Sequence, residues 1–61
     1  MSRFVGFDLA NEGSIAVNPE QVVWVSPHDR DPEMSVISLV NRTIAVQGKF
    51  EDVVMVLENA K

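Results

Sequence analysis

The hydrophobic period of this chain changes once, between residues 47 and 50. Before that point, apolar residues alternate with polar or small ones, as at Val5, Phe7 and Leu9, and this two-residue period predicts strands. After it, apolar residues recur at i, i+3, i+4 and i+7, which predicts one stripe along a helix. Such a chain is expected to fold as a small sheet that a single helix covers on one side.

Turn residues divide the alternating part of the chain into five predicted strands. These cover residues 3–9, 14–17, 22–26, 34–40 and 43–47, and the helix is predicted over residues 50–60. The fold class is therefore α+β, with a small antiparallel β-meander or a partly rolled sheet of about five strands and one C-terminal helix. With 61 residues, the chain is expected to form a single domain, residues 1–61.

The connections between the predicted strands carry separate signals. Gly13 permits a positive φ in a hairpin turn between the first two strands. Asn18-Pro19 predicts a tight turn or one turn of 3-10 helix, since proline lacks an amide hydrogen. Asn41 and Arg42 are predicted as a two-residue hairpin connection, in which Arg42 takes a positive φ if the turn is of type I′.

The helix prediction also includes its two ends. The stripe consists of Phe50, Val53, Val54 and Leu57. Gly48 is the predicted N-cap. Glu51 and Asp52 fall in the first predicted turn and Lys61 at the end, which is the charge order that the helix dipole favours.

Alternate strand positions are apolar on both faces of the predicted sheet, although one helix covers only one face. One predicted face carries Val23, Val25, Ile37, Leu39, Ile44 and Val46. The other either becomes partly buried by rolling into a small barrel or forms a self-association surface, together with two residues off the helical stripe. The candidate interface residues are therefore Phe4, Val22, Trp24, Met34, Val36, Val40, Met55 and Val56.

Small domains usually gain stability from disulfides, a metal or oligomerisation, because they bury little apolar surface. The chain has no cysteine and one histidine, which excludes disulfides and argues against a structural zinc site. A homo-oligomer is therefore favoured over a monomer with unusually good packing. Trp24 is either an interface anchor or a core residue beneath the helix.

Composition also bears on partners and location. Nine acidic and five basic residues give a net charge of −4, and the basic residues are scattered singly. Nucleic-acid binding needs clustered lysine and arginine, so the composition argues against it. The sequence has no secretory leader pattern and no apolar run of membrane-spanning length. A cytoplasmic protein without membrane insertion is expected.

The stretch SPHDRDPE, residues 26–33, gathers the only histidine with several charged residues. A site for a hard cation usually has a glycine that wraps the carboxylates around the ion, whereas this stretch has Pro32 and the competing cation Arg30. Catalysis needs a base, an orienting partner and a pocket, which a short exposed loop does not supply. The sequence therefore predicts no catalytic, cofactor-binding or metal-binding residue. The loop is interpreted as a solvated connection, and its candidate partner-binding residues are His28, Asp29, Arg30 and Asp31.

Three segments carry a family resemblance: VNPEQVVWV, MSVISLVNRTIAV and FEDVVMVLENA. They resemble the small flagellar and swarming-motility proteins of the FlbD/SwrD type at residues 17–20, 39–41 and 51–53, and the resemblance covers roughly residues 14–58. Arg42 stands where that pattern has glycine, and the loop before residue 34 is longer. The resemblance implies a non-enzymatic accessory role tied to motility, with no assigned catalytic residues.

The leading functional hypothesis is a small non-enzymatic accessory protein that self-associates and binds a protein partner. The alternative is a phage- or mobile-element-encoded oligomeric protein that inhibits a host protein or captures a small ligand between subunits. Neighbouring flagellar genes would favour the first, and phage genes the second. A third hypothesis, a metal-dependent enzyme, predicts that divalent ions raise the melting temperature.

Overall fold

The computed structural model describes residues 3–11 and 13–60, which form five strands, a 3-10 turn and one α-helix. The strands are β1 (Val5–Asp8), β2 (Ser14–Val17), β3 (Val22–Pro27), β4 (Met34–Leu39) and β5 (Thr43–Gln47), and the helix α1 spans Phe50–Asn59. The predicted α+β fold class with one C-terminal helix is confirmed. Lys61, predicted at the helix end, and Glu12, beside Gly13 in the predicted first turn, lie outside the described residues.

The strands form two antiparallel sheets that meet along one line. β1 pairs with β2, and β3, β4 and β5 form a three-stranded meander in that order. A bridge between Leu9 and Val46 joins the two sheets, and the Ala10 N–H donates to the Ala45 carbonyl at 3.3 Å. The arrangement is therefore partly rolled, and within the described chain β2 and β3 are its edge strands.

Among the described residues, seven buried apolar side chains form the core, and they come from the first hairpin, the three-stranded sheet and the helix. They are Phe7, Val17, Ile37, Ile44, Val46, Val53 and Leu57. Ile37 and Val46 are 0% exposed, so the inner face of the three-stranded sheet is the centre of the molecule. The first hairpin and the helix both cover this inner face, since each contributes buried residues to the same cluster.

The predicted helical stripe is confirmed. Val53 and Leu57 are buried, while Phe50 and Val54 are half-buried, and the helix packs against β3 and β4. Met55 and Val56 are exposed, as expected for positions off the stripe. No helix in the described part of the chain is long and apolar enough to cross a membrane.

A β-bulge in β3 overturns the predicted face assignment at two positions. Val22 pairs with Leu39 and Trp24 pairs with Ser38, so Val23 is an extra residue between them. This extra residue interrupts the alternation, and Val22 packs against the core while Val23 is 61% exposed. The prediction placed Val23 on the core face and Val22 on the other, and both assignments are wrong because of the bulge.

The first two predicted connections are confirmed. Gly13 takes a φ of 95° in the turn between β1 and β2, where glycine has no steric penalty. The 3-10 turn spans Pro19–Gln21, and the side chain of Asn18 accepts the Glu20 N–H at 3.0 Å. This cap gives an acceptor to the Glu20 N–H at the start of the turn, and the turn leads the chain directly into β3.

The predicted two-residue connection between β4 and β5 is wrong. The last residue pair of this ladder is Ser38 with Thr43, so four residues lie between them. The Leu39 N–H donates to the Arg42 carbonyl at 2.7 Å and closes the turn. Arg42 does not take a positive φ, because a turn of this length has no need of the type I′ geometry.

Gly48 lies between β5 and the helix. Two hydrogen bonds to residues at the start of β4 hold it in place. Its N–H donates to the Glu33 carbonyl at 2.8 Å, and its carbonyl accepts the Ser35 hydroxyl at 2.7 Å. Its φ of 129° is one that residues with a side chain rarely adopt. The predicted N-cap at Gly48 is wrong by one residue: Lys49 is the N-cap, and its side chain makes no capping hydrogen bond.

Gly48→Ala is expected to lower the free energy of unfolding by more than about 1 kcal/mol, because alanine is disfavoured at positive φ. The added Cβ would also lie 3.2 Å from Cγ2 of the core residue Val53. Urea denaturation followed by circular dichroism measures the change. Gly6→Ala is the matched control, since an added Cβ at Gly6 meets nothing within 4 Å. Equal losses in the two variants would contradict the role of Gly48.

Ser35→Ala is expected to lower the free energy of unfolding by about 1–3 kcal/mol, because it removes the hydroxyl that donates to the Gly48 carbonyl. Ser35 is 0% exposed, so water does not replace the lost hydroxyl without rearrangement. Ser38→Ala is the control, since its hydroxyl lies 3.4 Å from the Leu39 carbonyl and is only half-buried. The same urea titration applies, and a Ser35→Ala variant as stable as the parent would refute the argument.

Candidate functional site

The charged loop, residues 28–33, is folded by its own hydrogen bonds. Nδ1 of His28 accepts the backbone N–H of Arg30 at 3.1 Å and that of Asp31 at 3.2 Å. Oδ1 of Asp31 accepts the N–H of Glu33 at 3.0 Å, and the Asp31 carbonyl accepts the Met34 N–H at 3.0 Å. An accepting Nδ1 corresponds to the tautomer of the neutral ring that has its hydrogen on Nε2. The side chains of His28 and Asp31 therefore stabilise the turns of this loop.

The other charges of the loop face solvent. Asp29 and Arg30 are exposed. Oε2 of Glu33 lies 3.8 Å from Nζ of Lys49, in an ion pair between two exposed side chains. Such pairs contribute little to stability. Within residues 3–11 and 13–60, no three His, Asp or Glu side chains come close enough together to hold a metal ion. The loop thus presents the carboxylate of Asp29 and the guanidinium of Arg30 at adjacent exposed positions.

The loop meets two predicted interface residues on the outer face of the three-stranded sheet, the face opposite the helix. By the strand register, this face carries Trp24, Ser26, Met34, Val36, Ser38 and Ala45. Trp24 and Val36 line a depression of about 540 Å³ together with His28, Asp29 and Arg30. This outer depression brings two predicted interface residues next to three of the four predicted loop residues.

Of the other predicted interface residues, Met34 lies on the same outer face and Val22 packs against the core, while the remaining four lie elsewhere. Met55 and Val56 are exposed on the helix, which packs on the opposite face of the sheet. Val40 is exposed in the β4–β5 turn, and Phe4 is exposed just before β1. Because the helix and the outer face point in opposite directions, the predicted set does not form one continuous surface.

A second depression, hereafter the groove, runs between β3 and the helix. It has a volume of about 330 Å³, and its walls are the apolar side chains Val22, Val23, Val25, Phe50, Val54 and Leu57. A neighbouring depression of about 390 Å³ shares Phe50 and Val54 and extends to Met55. Together they form an apolar strip from the edge of the sheet across one flank of the helix.

Charge distinguishes the groove from the outer depression. The outer depression has Asp29 and Arg30 at its margin, one charge of each sign. The groove has Glu58 at its margin, and the neighbouring depression adds Glu51. Among the described residues that line these two depressions the charged ones are Glu51 and Glu58, while Arg30 lines the next depression along, which shares Phe50 and Glu51.

β3 forms one wall of the groove, and its free edge is poorly suited to pair with another strand. The bulge at Val23 disrupts the regular spacing of the ladder, and Pro27 has no N–H to donate. The N–H of Val22 already donates to the Pro19 carbonyl. Natural edge strands use such features to prevent strand addition. The edge therefore offers side chains for contact rather than a hydrogen-bonding ladder.

No protein-family model, curated protein or solved structure matches this chain. The resemblance to the FlbD/SwrD-type motility proteins therefore stays a prediction. The outer depression and the groove are the features of the described chain that bear on its function.

Sequence reasoning missed the groove because it missed the bulge. The run VVWV contains four consecutive apolar residues, which strict alternation divides equally between two faces. The one signal in the sequence was that this run contains no polar residue to show which side of the strand faces solvent. Pairing with β4 was needed to show that Val23 and Trp24 are both exposed.

His28→Ala is expected to loosen the charged loop, because two backbone N–H groups lose their acceptor. Amide hydrogen exchange at Arg30 and Asp31 should speed up about tenfold, as expected when a local opening becomes easier. Nuclear magnetic resonance exchange measurements test this directly. Asp29→Ala is the control, since Asp29 is an exposed neighbour in the same loop. Unchanged exchange in the His28 variant would contradict the structural role of its ring.

Proposed function

We propose that this chain is a small non-enzymatic cytoplasmic protein that self-associates through the outer depression and binds a protein partner. The observation that carries the proposal is Trp24, which is 49% exposed in a depression bordered by Asp29 and Arg30. Tryptophan and arginine are the residue types most enriched where alanine substitution costs most binding energy. An exposed tryptophan beside an exposed arginine supports an interface at this position.

The charges at the outer depression favour a second copy as the occupant. A two-fold interface uses the same patch on both subunits. If one residue of the patch contacts a second residue on the other subunit, the reverse contact also forms across the axis. Asp29 and Arg30 have opposite signs, which allows each to face the other residue type in the second copy. The patch is locally balanced although the whole chain has a net charge of −4. Self-association here avoids the like-charge contact that the net charge would otherwise impose.

The size of the domain supports the same proposal. A chain of 61 residues has a small core, and covering Trp24 and Val36 would remove further apolar surface from water. By its resemblance to the FlbD/SwrD-type proteins, the accessory role would be in motility. Flagellar genes beside the gene for this chain would support that assignment, whereas phage genes would favour a role in phage or mobile-element biology.

Trp24→Ser is expected to shift the protein from dimer to monomer across the micromolar range, because it removes the largest apolar side chain of the outer depression. Sedimentation velocity at increasing protein concentration measures the change. Met55→Ser is the matched control, since Met55 is an exposed apolar residue on the helix. A parent protein that stays monomeric throughout this range would refute self-association, and equal dissociation in both variants would refute its location.

A further inference from the structure

We infer that the groove between β3 and the helix binds an amphipathic helix of another protein, one that carries lysine or arginine beside its apolar face. This inference rests on the partner-binding half of the proposed function, and it gives that partner a chemistry. It uses a surface other than the outer depression, so one molecule accommodates both contacts.

The groove presents apolar side chains that the fold leaves partly uncovered. Val23 is 61% exposed on one wall, and Phe50 and Val54 are half-buried on the other. The volume of about 330 Å³ is at the lower end of the range for ligand pockets, which suits a few side chains of a peptide. Apolar side chains inserted between these walls would be removed from water on both sides.

The shape of the edge selects a helical occupant over an added strand. Strand addition requires a regular row of free N–H and C=O groups. The bulge at Val23 and the proline at position 27 interrupt that row along β3. An amphipathic helix satisfies its own backbone hydrogen bonds and needs only side-chain contacts, which it makes with residues at i, i+3, i+4 and i+7. The groove fits that requirement.

The margin of the groove selects a basic partner over a second copy. Glu58 borders the groove and Glu51 borders the adjoining depression, and both lie on the same flank of α1. A second copy would bring its own net charge of −4 against these carboxylates. Lysine or arginine flanking the apolar residues of a partner would be complementary to them, which raises the association rate and excludes acidic competitors.

The test uses two synthetic helical peptides with the same leucine face. One carries lysine on its polar margins and the other carries glutamate at the same positions. Each is titrated into the intact protein, and calorimetry with methyl chemical-shift mapping measures affinity and location. The lysine peptide is expected to bind saturably and to shift the methyl groups of Val23, Val54 and Leu57. The glutamate peptide is expected to bind at least about tenfold more weakly.

Two pairs of variants separate the groove from a general attraction to an acidic protein. Glu51→Gln with Glu58→Gln should weaken the lysine peptide about fivefold, as expected for two exposed charge pairs. Asp8→Asn with Asp52→Asn changes the net charge equally but lies outside both depressions, and it should leave affinity unchanged. Val23→Ser should also weaken binding, whereas Val40→Ser should not, although Val40 is 69% exposed.

Four outcomes would overturn the inference. Three of them are no saturable binding of the lysine peptide, equal effects of the two charge-neutralising pairs, and shifts centred on Trp24 instead of the groove. Loss of dimers in Val23→Ser together with no peptide binding would place a second copy in the groove and also overturn it. A strictly monomeric protein that binds the lysine peptide through the groove would refute self-association and leave the groove inference intact. Self-association and the groove inference therefore fail independently.

Discussion

The two hydrogen bonds that fix Gly48 determine where the helix lies. The Glu33 carbonyl and the Ser35 hydroxyl, at the start of β4, bind the N–H and the carbonyl of Gly48, the residue before the N-cap Lys49. The helix therefore begins at one end of the three-stranded sheet and runs over β3 and β4, with Val53 and Leu57 in the core. Because the helix lies towards β3 and not at the centre of the sheet, one flank of it stays open and becomes the groove.

The bulge in β3 is the second constraint, and it separates the two surfaces. Without the extra residue, Val23 would share the inner face with Val25, and Val22 would share the outer face with Trp24. With it, Val22 completes the core, Val23 faces the groove, and Trp24 faces the outer depression. One inserted residue therefore gives a single edge strand apolar contacts on two sides of the molecule.

The charges at their margins are the basis for proposing different occupants of the two surfaces. The outer depression has a carboxylate and a guanidinium at its margin, which suits a copy of the same chain. The groove and its extension have carboxylates alone, which suits a basic partner. The charged loop contributes to the first surface, and His28 supports it by holding the backbone of Arg30 and Asp31. Its ring thus has a structural explanation that needs no reaction chemistry.

The periodicity of the sequence was sufficient for the elements and the fold class, because strand alternation and the helical stripe are local patterns. The positive φ of Gly13, the 3-10 turn at Pro19 and the stripe ending at Leu57 were predictable for the same reason. Local patterns did not predict three other features. These are the faces on which Val22 and Val23 lie, the length of the β4–β5 turn and the N-cap at Lys49. Each depends on which residue of one strand pairs with which residue of another.

What the sequence by itself determined is therefore a chain of five strands and one helix, with more apolar side chains than one helix covers. What only the tertiary structure decided is where the uncovered ones lie. Local patterns specify which residues are apolar, but a side chain's direction depends on strand register, and a single bulge reverses it. The division of the exposed residues between an outer depression and a groove follows from that register and from the position of the helix.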